Sequence, residues 1–190
     1  MPTGRRTTTA RGERVFGIHR TLGVASRVGS GARAHRSVTS VSWNLTRLTG
    51  TFVDTTVLVA ALDAGHAHHS TSIALLVSIK AGTAFCALHS YAELYAVMSG
   101  KPGKPRLRPT DVDAMIERID KVFTPISLTR REYREVIGAC AVRGITAGRL
   151  YDALIGACAL KCDADAIYTL NEVDFKAVLP ASEHARIRRP

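Results

Sequence analysis

A chain of 190 residues, 46% of them apolar and with mean hydropathy near zero, has room for one domain of ordinary size and a tail. No apolar run approaches the roughly 18 residues of a membrane span, and the N-terminus lacks the apolar stretch of a secretory signal. The net charge of +10 suggests a nucleic-acid partner, but residues 1–50 hold nine Arg against Glu13, while residues 51–190 hold 17 basic and 15 acidic groups. The body is almost neutral, so basic charge acts through the tail and local patches.

Residues 1–50, rich in Arg, Thr, Ser, Gly and Ala, show no sustained period and read as a disordered extension that cannot offset its chain entropy. The same composition also matches an organellar transit peptide. A third reading starts translation at a non-Met codon near Val41 or Leu48, since no Met lies between Met1 and Met98.

The domain opens with TFVDTTVLVAAL, residues 51–62. An apolar strand over 51–54 delivers Asp54 at its carboxyl end and turns at once into a helix, which puts this acid where ligands bind in open α/β sheets. His66, His68 and His69 read as a polar loop and helix start, because no carboxylate or Cys lies beside them at ligand spacing. The segment 70–81 predicts a helix with Ser70 as a possible cap and Ile73, Leu76 and Val77 on one face.

Residues 83–88 form a short buried strand, and the helix after it starts at Ser90. Ser90 and Glu93 match a capping box, S-x-x-E, which by itself explains Glu93. Gly100 ends that helix. The loop 101–109 carries Lys101, Lys104, Arg106 and Arg108 with no acid; a solvated loop is its simplest reading and phosphate contact the functional one.

An amphipathic helix over 110–121 leads to a strand at 122–128, where Pro125 points to an edge position. Thr129 and Glu132 form a second capping box for a helix running to about Val142, before Gly144. The helix from about Ala147 to Cys162 has Asp152 in its first turn, where an acid favours the helix dipole. The last strand, 166–170, ends in NEVDF, read as a polar turn with Asn171 and Asp174, and residues 181–190 form a basic tail. The alternation is that of a βα-type sheet. Cys86, Cys140, Cys158 and Cys162 form no CxxC pair and read as buried thiols of a reducing, cytosolic compartment; the i,i+4 spacing of Cys158 and Cys162 leaves a metal or redox role as the alternative.

Asp54, Glu93, Asp152 and Asp174 each have a local explanation, yet a parallel sheet would bring all four to one rim. Converged carboxylates repel and need a cation, and hard oxygen ligands suit Mg²⁺ or Mn²⁺. Such an ion activates water and neutralises charge on a phosphate oxygen.

TFVDTTVLVAAL, the Glu of HSYAELYAVMSG, the Asp of GRLYDALIGACAL and the ending TLNEVDF resemble, in this order, the four acidic signatures of the PIN domain. More narrowly the chain is similar to VapC-type toxins of bacterial toxin-antitoxin pairs, over roughly residues 51–180. The resemblance implies a three-layer α/β/α fold with a central, mostly parallel sheet, in which Asp54, Glu93, Asp152 and Asp174 bind Mg²⁺ or Mn²⁺. It implies RNA cleavage by metal-activated water, leaving a 5′-phosphate and a 3′-hydroxyl, with Thr56, Thr169 and Asn171 supporting the site. A cognate VapB-type antitoxin and a homodimer follow from the same resemblance, and Lys101, Lys104, Arg106 and Arg108 would hold the RNA backbone. The Arg-rich extension departs from the family pattern and puts the true N-terminus in question. Asp163 and Asp165 fall outside the motif and read as turn acids.

Two other classes compete. A haloacid-dehalogenase-type phosphatase also begins with a strand and an Asp, but needs a second acid two residues later, where this chain has Thr56. A non-catalytic RNA- or partner-binding PIN-like module would retain RNA without turnover.

Overall fold

The computed structural model describes residues 50–80, 82–100 and 107–190. The extension up to residue 49 and the loop residues Lys101, Lys104 and Arg106 lie outside the described residues. Strand β1 (Thr51–Val53) leads into α1 (Thr55–Leu62) and α2 (His69–Ser78); β2 (Ala84–Ala87) leads into α3 (His89–Gly100) and α4 (Pro109–Val122). Then come β3 (Thr124–Ile126), α5 (Arg130–Val142), α6 (Arg149–Lys161), β4 (Ala166–Tyr168), α7 (Glu172–Val178), a 3₁₀ helix (Ala181–Arg186) and β5 (Ile187–Arg188).

The five strands lie in the order β3-β2-β1-β4-β5, and every pairing is parallel. Parallel sheets need both faces covered, and the period of two along each strand provides for it. Phe52, Ala87 and Ile167 face one core, shared with Val136, Leu154, Ile155, Phe175 and Val178 of α5, α6 and α7. Val53, Ala84 and Cys86 face the other, with Val57, Leu58, Leu94, Met98, Val112 and Ile119 of α1, α3 and α4. The result is the three-layer α/β/α arrangement with β1 at its centre.

The short β3 takes the edge, as Pro125 requires, since proline has no N–H to offer a further strand. Thr129 and Glu132 form the reciprocal capping box: the Thr129 side chain accepts from the Glu132 N–H, and Glu132 Oε2 accepts from the Thr129 N–H at 2.6 Å. Helix α5 stops where Gly144 enters the left-handed region (φ 67°), with the Ile145 N–H bonded to the Cys140 carbonyl at 2.9 Å. Cys86, Cys140 and Cys158 are buried free thiols, and burial pushes Cys86 and Cys158 up to about 12, so they act as small apolar side chains.

The structure departs from the sequence reading in several places. The NEVDF segment is a helix, α7, whose Phe175 and Val178 are fully buried. Seven residues are too few to display a helical period, so only the pocket these two side chains fill reveals it. Residues 181–188 pack as the 3₁₀ helix and β5, which covers the open edge of β4. Arg186 fixes this turn, donating from Nε to the Ala164 carbonyl at 2.7 Å and pairing with Glu183 and Asp163. Helix α2 begins at His69 with His68 at its N-cap position, not at Ser70. Among the described residues, no helix is long and apolar enough to cross a membrane.

Candidate active site

Strand order reverses between β1 and β4, which run side by side although they are the first and fourth strands among the described residues. Helices leave the two strands on opposite faces of the sheet, so a crevice opens beyond their carboxyl ends. A cleft of about 1200 Å³ occupies it, and Asp54, Glu93, Asp152 and Asp174 all line it. Thr56 and Asn171 also line the cleft, and Thr169 lies buried beneath it.

Asp54 is 2% exposed at the N-cap of α1, a position favourable to an acid because the unsatisfied N–H groups of the first turn surround it. Its Oδ2 accepts from Thr56 Oγ1 at 2.6 Å and from Thr169 Oγ1 at 2.8 Å. Each threonine is itself fixed, Thr56 Oγ1 accepting from the Leu170 N–H across the β1–β4 junction and Thr169 Oγ1 from the nearby Asn171 N–H. Burial raises the Asp54 carboxyl above its ordinary range; the two hydroxyls work against that, and the Glu93 carboxylate adds to it.

Glu93 comes from α3 and is oriented by Thr55, whose Oγ1 lies 2.6 Å from Glu93 Oε2 and 2.8 Å from Ser90 Oγ. A hydroxyl has one proton, and the bond to an ionised oxygen is the stronger, so Thr55 donates to Glu93 and Ser90 donates to Thr55. Ser90, expected to cap the helix, is instead a fully buried residue inside α3 that ties Thr55 in place. The two residues of the apparent capping box serve the cleft.

Asp152, in the first turn of α6, is pushed up to about 7 by burial first and then by the carboxylates of Asp54, Asp174 and Glu93, with a hydrogen bond to Asn171 opposing. Three other acids acting on one carboxyl are the electrostatic sign of convergence. Asp174 is held below the ordinary range by hydrogen bonds to Asn171 and Arg149; Arg149 Nε lies 2.7 Å from its Oδ1. Among the described residues that line the cleft, Arg149 is the one Lys or Arg, and its charge partly offsets the acids.

The donor set of four carboxylates from four elements suits a hard divalent cation in charge and atom type. Among the described residues, however, no three His, Cys, Asp or Glu side chains converge as ligands of one ion in this conformation. Asp174 is paired with the Arg149 guanidinium in this conformation.

Several residues here had no functional reading in the sequence. Thr55 is adjacent to Asp54, and the doubled hydroxyl of D-T-T was its signal. His66 and His68, read as loop residues, line the cleft. Arg149 and Tyr151 flank the acid face of α6 and line it too. Arg108, by contrast, was read from the sequence as a phosphate contact; it sits at the N-cap position of α4, exposed and paired with Asp111 at 2.8 Å, and is not among the residues lining the cleft.

The PIN-domain sequence pattern matches residues 51–178. Ribonuclease VapC27 of Mycobacterium tuberculosis is 30% identical over 113 residues, which cover 60% of this chain and 79% of that protein. The pattern runs from the strand before Asp54 to the end of the helix that carries Asp174, the same span that builds the sheet and the acid-lined cleft, and the chain belongs to the PIN-domain family as a relative of the VapC-type ribonucleases.

Proposed function

We propose that the protein is an endoribonuclease dependent on Mg²⁺ or Mn²⁺, the toxin of a VapBC-type toxin-antitoxin pair. The observation that carries this reading is that Asp54, Glu93, Asp152 and Asp174 line one crevice, in which burial first and then the other three acids raise the Asp152 carboxyl to about 7. The likeness to a ribonuclease supports the same substrate class.

In this reading the four carboxylates hold the cation, which when bound supplies Lewis acidity toward water and a phosphate oxygen. Asp54 is the fixed corner, its orientation set by Thr56 and Thr169. Thr55 holds Glu93 in one rotamer. The Asn171 side chain favours the ionised form of both Asp152 and Asp174. Arg149, paired with Asp174 and lining the same cleft, would offer its guanidinium to an RNA phosphate there. Water attacks the phosphodiester in line, giving a 5′-phosphate and a 3′-hydroxyl. Lys101, Lys104, Arg106 and Arg108 contribute phosphate contacts along the backbone, Arg108 from a side chain that also serves Asp111. A VapB-type antitoxin neutralises the enzyme, and the toxin acts as a homodimer.

Purified protein should cleave single-stranded RNA with Mg²⁺ or Mn²⁺, stop in EDTA, and lose cleavage in Asp54→Asn. Equal cleavage by Asp54→Asn would remove the proposal. Metal-independent retention of RNA without turnover would favour a binding module in its place.

A further inference from the structure

A second, smaller concavity of about 290 Å³ lies beside the cleft, lined by Leu88, His89, Ile126, Leu128, Tyr133 and Leu154 among others. Its walls are largely apolar, and Ser127 and Tyr133 bring hydroxyl groups to it. The wall between cleft and concavity is a stacked pair: the His89 and Tyr151 rings are 5.2 Å apart and inclined by only 11°. Tyr151 lines the acidic cleft, and His89 lines the concavity. Tyr151 is 46% exposed, a large aromatic left partly bare beside a cleft full of carboxylates.

Both rings are tied to the acids. Tyr151 precedes Asp152 on α6, and His89 Nε2 lies 3.8 Å from Glu93 Oε1, one turn along α3. A group held by the stack is therefore held at a fixed distance from the carboxylates, on two helices and not on a loop. An acidic cleft attracts no polyanion by its own charge, so RNA binding there needs a further source of affinity. Flat π-faces supply it, because every base stacks on an aromatic ring whatever its sequence.

We propose that the His89–Tyr151 stack and the concavity behind it form a base-binding subsite, which takes one nucleobase of single-stranded RNA next to the phosphodiester at the carboxylates. The apolar walls of Leu88, Ile126, Leu128 and Leu154 enclose a planar ring, and Ser127 and Tyr133 meet its polar edge. The volume is that of a single-group pocket, at the lower limit of ordinary ligand sites. This subsite rests on the ribonuclease reading, and it makes Tyr151 and His89 positioning residues.

The test uses the full-length protein in EDTA with a short oligoribonucleotide, binding being read by fluorescence anisotropy, and the same RNA with one abasic nucleotide moved stepwise along it. One abasic position should weaken binding by roughly 5- to 150-fold, the range that loss of one stacked base gives. Tyr151→Leu and His89→Leu should lose a similar factor with intact RNA and become insensitive to the abasic position, while Tyr151→Phe binds as the parent does. With metal present, the leucine variants should raise KM more than they lower kcat. If RNA is bound and cut but no abasic position matters, the subsite is wrong and the nuclease reading stands. If the protein neither binds nor cuts RNA, both are wrong. The abasic series on the unaltered protein decides the question even if a leucine variant fails to fold.

Discussion

Thr169 and Asp54 are 115 residues apart in the chain, and the Thr169 hydroxyl donates to Asp54 Oδ2 at 2.8 Å with both side chains out of reach of solvent. The same oxygen of Thr169 accepts from the Asn171 N–H at 2.9 Å, so one hydroxyl serves the acid of β1 and the backbone entering α7. Thr169→Val keeps the shape and strands both partners. Loss of a buried, charge-assisted bond should cost about 1–3 kcal/mol in urea denaturation. The loss should be larger at alkaline than at mildly acidic pH, because the hydroxyl supports the ionised carboxylate. Thr169→Ser should recover most of it. A valine variant as stable as the parent at both pH values would show that the bond contributes nothing.

The Asp152 carboxyl gives the free protein a pH dependence of definite sign. Its ordinary value is 3.8 and its folded value about 7, so between them the folded chain holds a proton that the unfolded chain has released. Stability of the metal-free protein therefore falls as pH rises through this window. Asp152→Asn should flatten that slope and stabilise the metal-free protein above neutrality, by something of the order of 1 kcal/mol once solvent screening is allowed for. Thermal unfolding across the window, with and without Mg²⁺, checks it; stabilisation by the metal should grow with pH in the parent. A slope that Asp152→Asn leaves unchanged would mean that the Asp152 carboxyl is not raised in the folded protein.

Arg149 competes for Asp174. Their ion pair, at 2.7 Å, holds the Asp174 carboxyl below its ordinary range. Arg149→Gln frees that carboxylate and removes a positive charge from the cleft, so Mg²⁺ or Mn²⁺ should stabilise this variant at lower concentration than the parent. RNA affinity should fall in the same variant. If metal binding weakens, Arg149 orients Asp174 and does not compete for it.

Gly156 of α6 packs against Leu179, the residue that follows α7. A Cβ there would lie 2.8 Å from Leu179 Cδ2, the end of a buried but flexible side chain. Gly156→Ala should be nearly neutral, since the helix gains from losing a glycine what the leucine loses in moving. Gly156→Val adds branches that cannot turn away and should cost about 1–3 kcal/mol. Equal denaturation midpoints for the two variants would rule out this packing account.

Much of the fold could be read from the order of residues because each main strand is a short apolar run followed at once by a helix signal. The capping box of Thr129 and Glu132, the edge position of Pro125 and the acid after β1 are all local features, and local features are what a sequence displays. Helix α7 and β5 were not visible for the opposite reason. Seven and two residues respectively are too short to carry a period, and they exist because Phe175, Val178 and Ile187 fill space made by other elements. The acids were legible by position, but their supports were not. Ser90 looked like a cap and is an anchor for Thr55; His66 and His68 looked like loop and lie on the cleft wall. No spacing rule connects residue 55 to residue 90, or residue 89 to residue 151.

The central place of β1 has a consequence for the growing chain. During synthesis from the N-terminus, the strand that carries Asp54 emerges first, but its partner β4 and the helix bearing Asp174 come only after more than a hundred further residues. A sheet whose middle is made first and closed last stays open until then. In the proposed reading, a ribosome-bound toxin that has made β1 but not yet β4 and α7 lacks Thr169, Asn171 and Asp174. Such a chain holds an incomplete site and cannot cut RNA until those elements have followed.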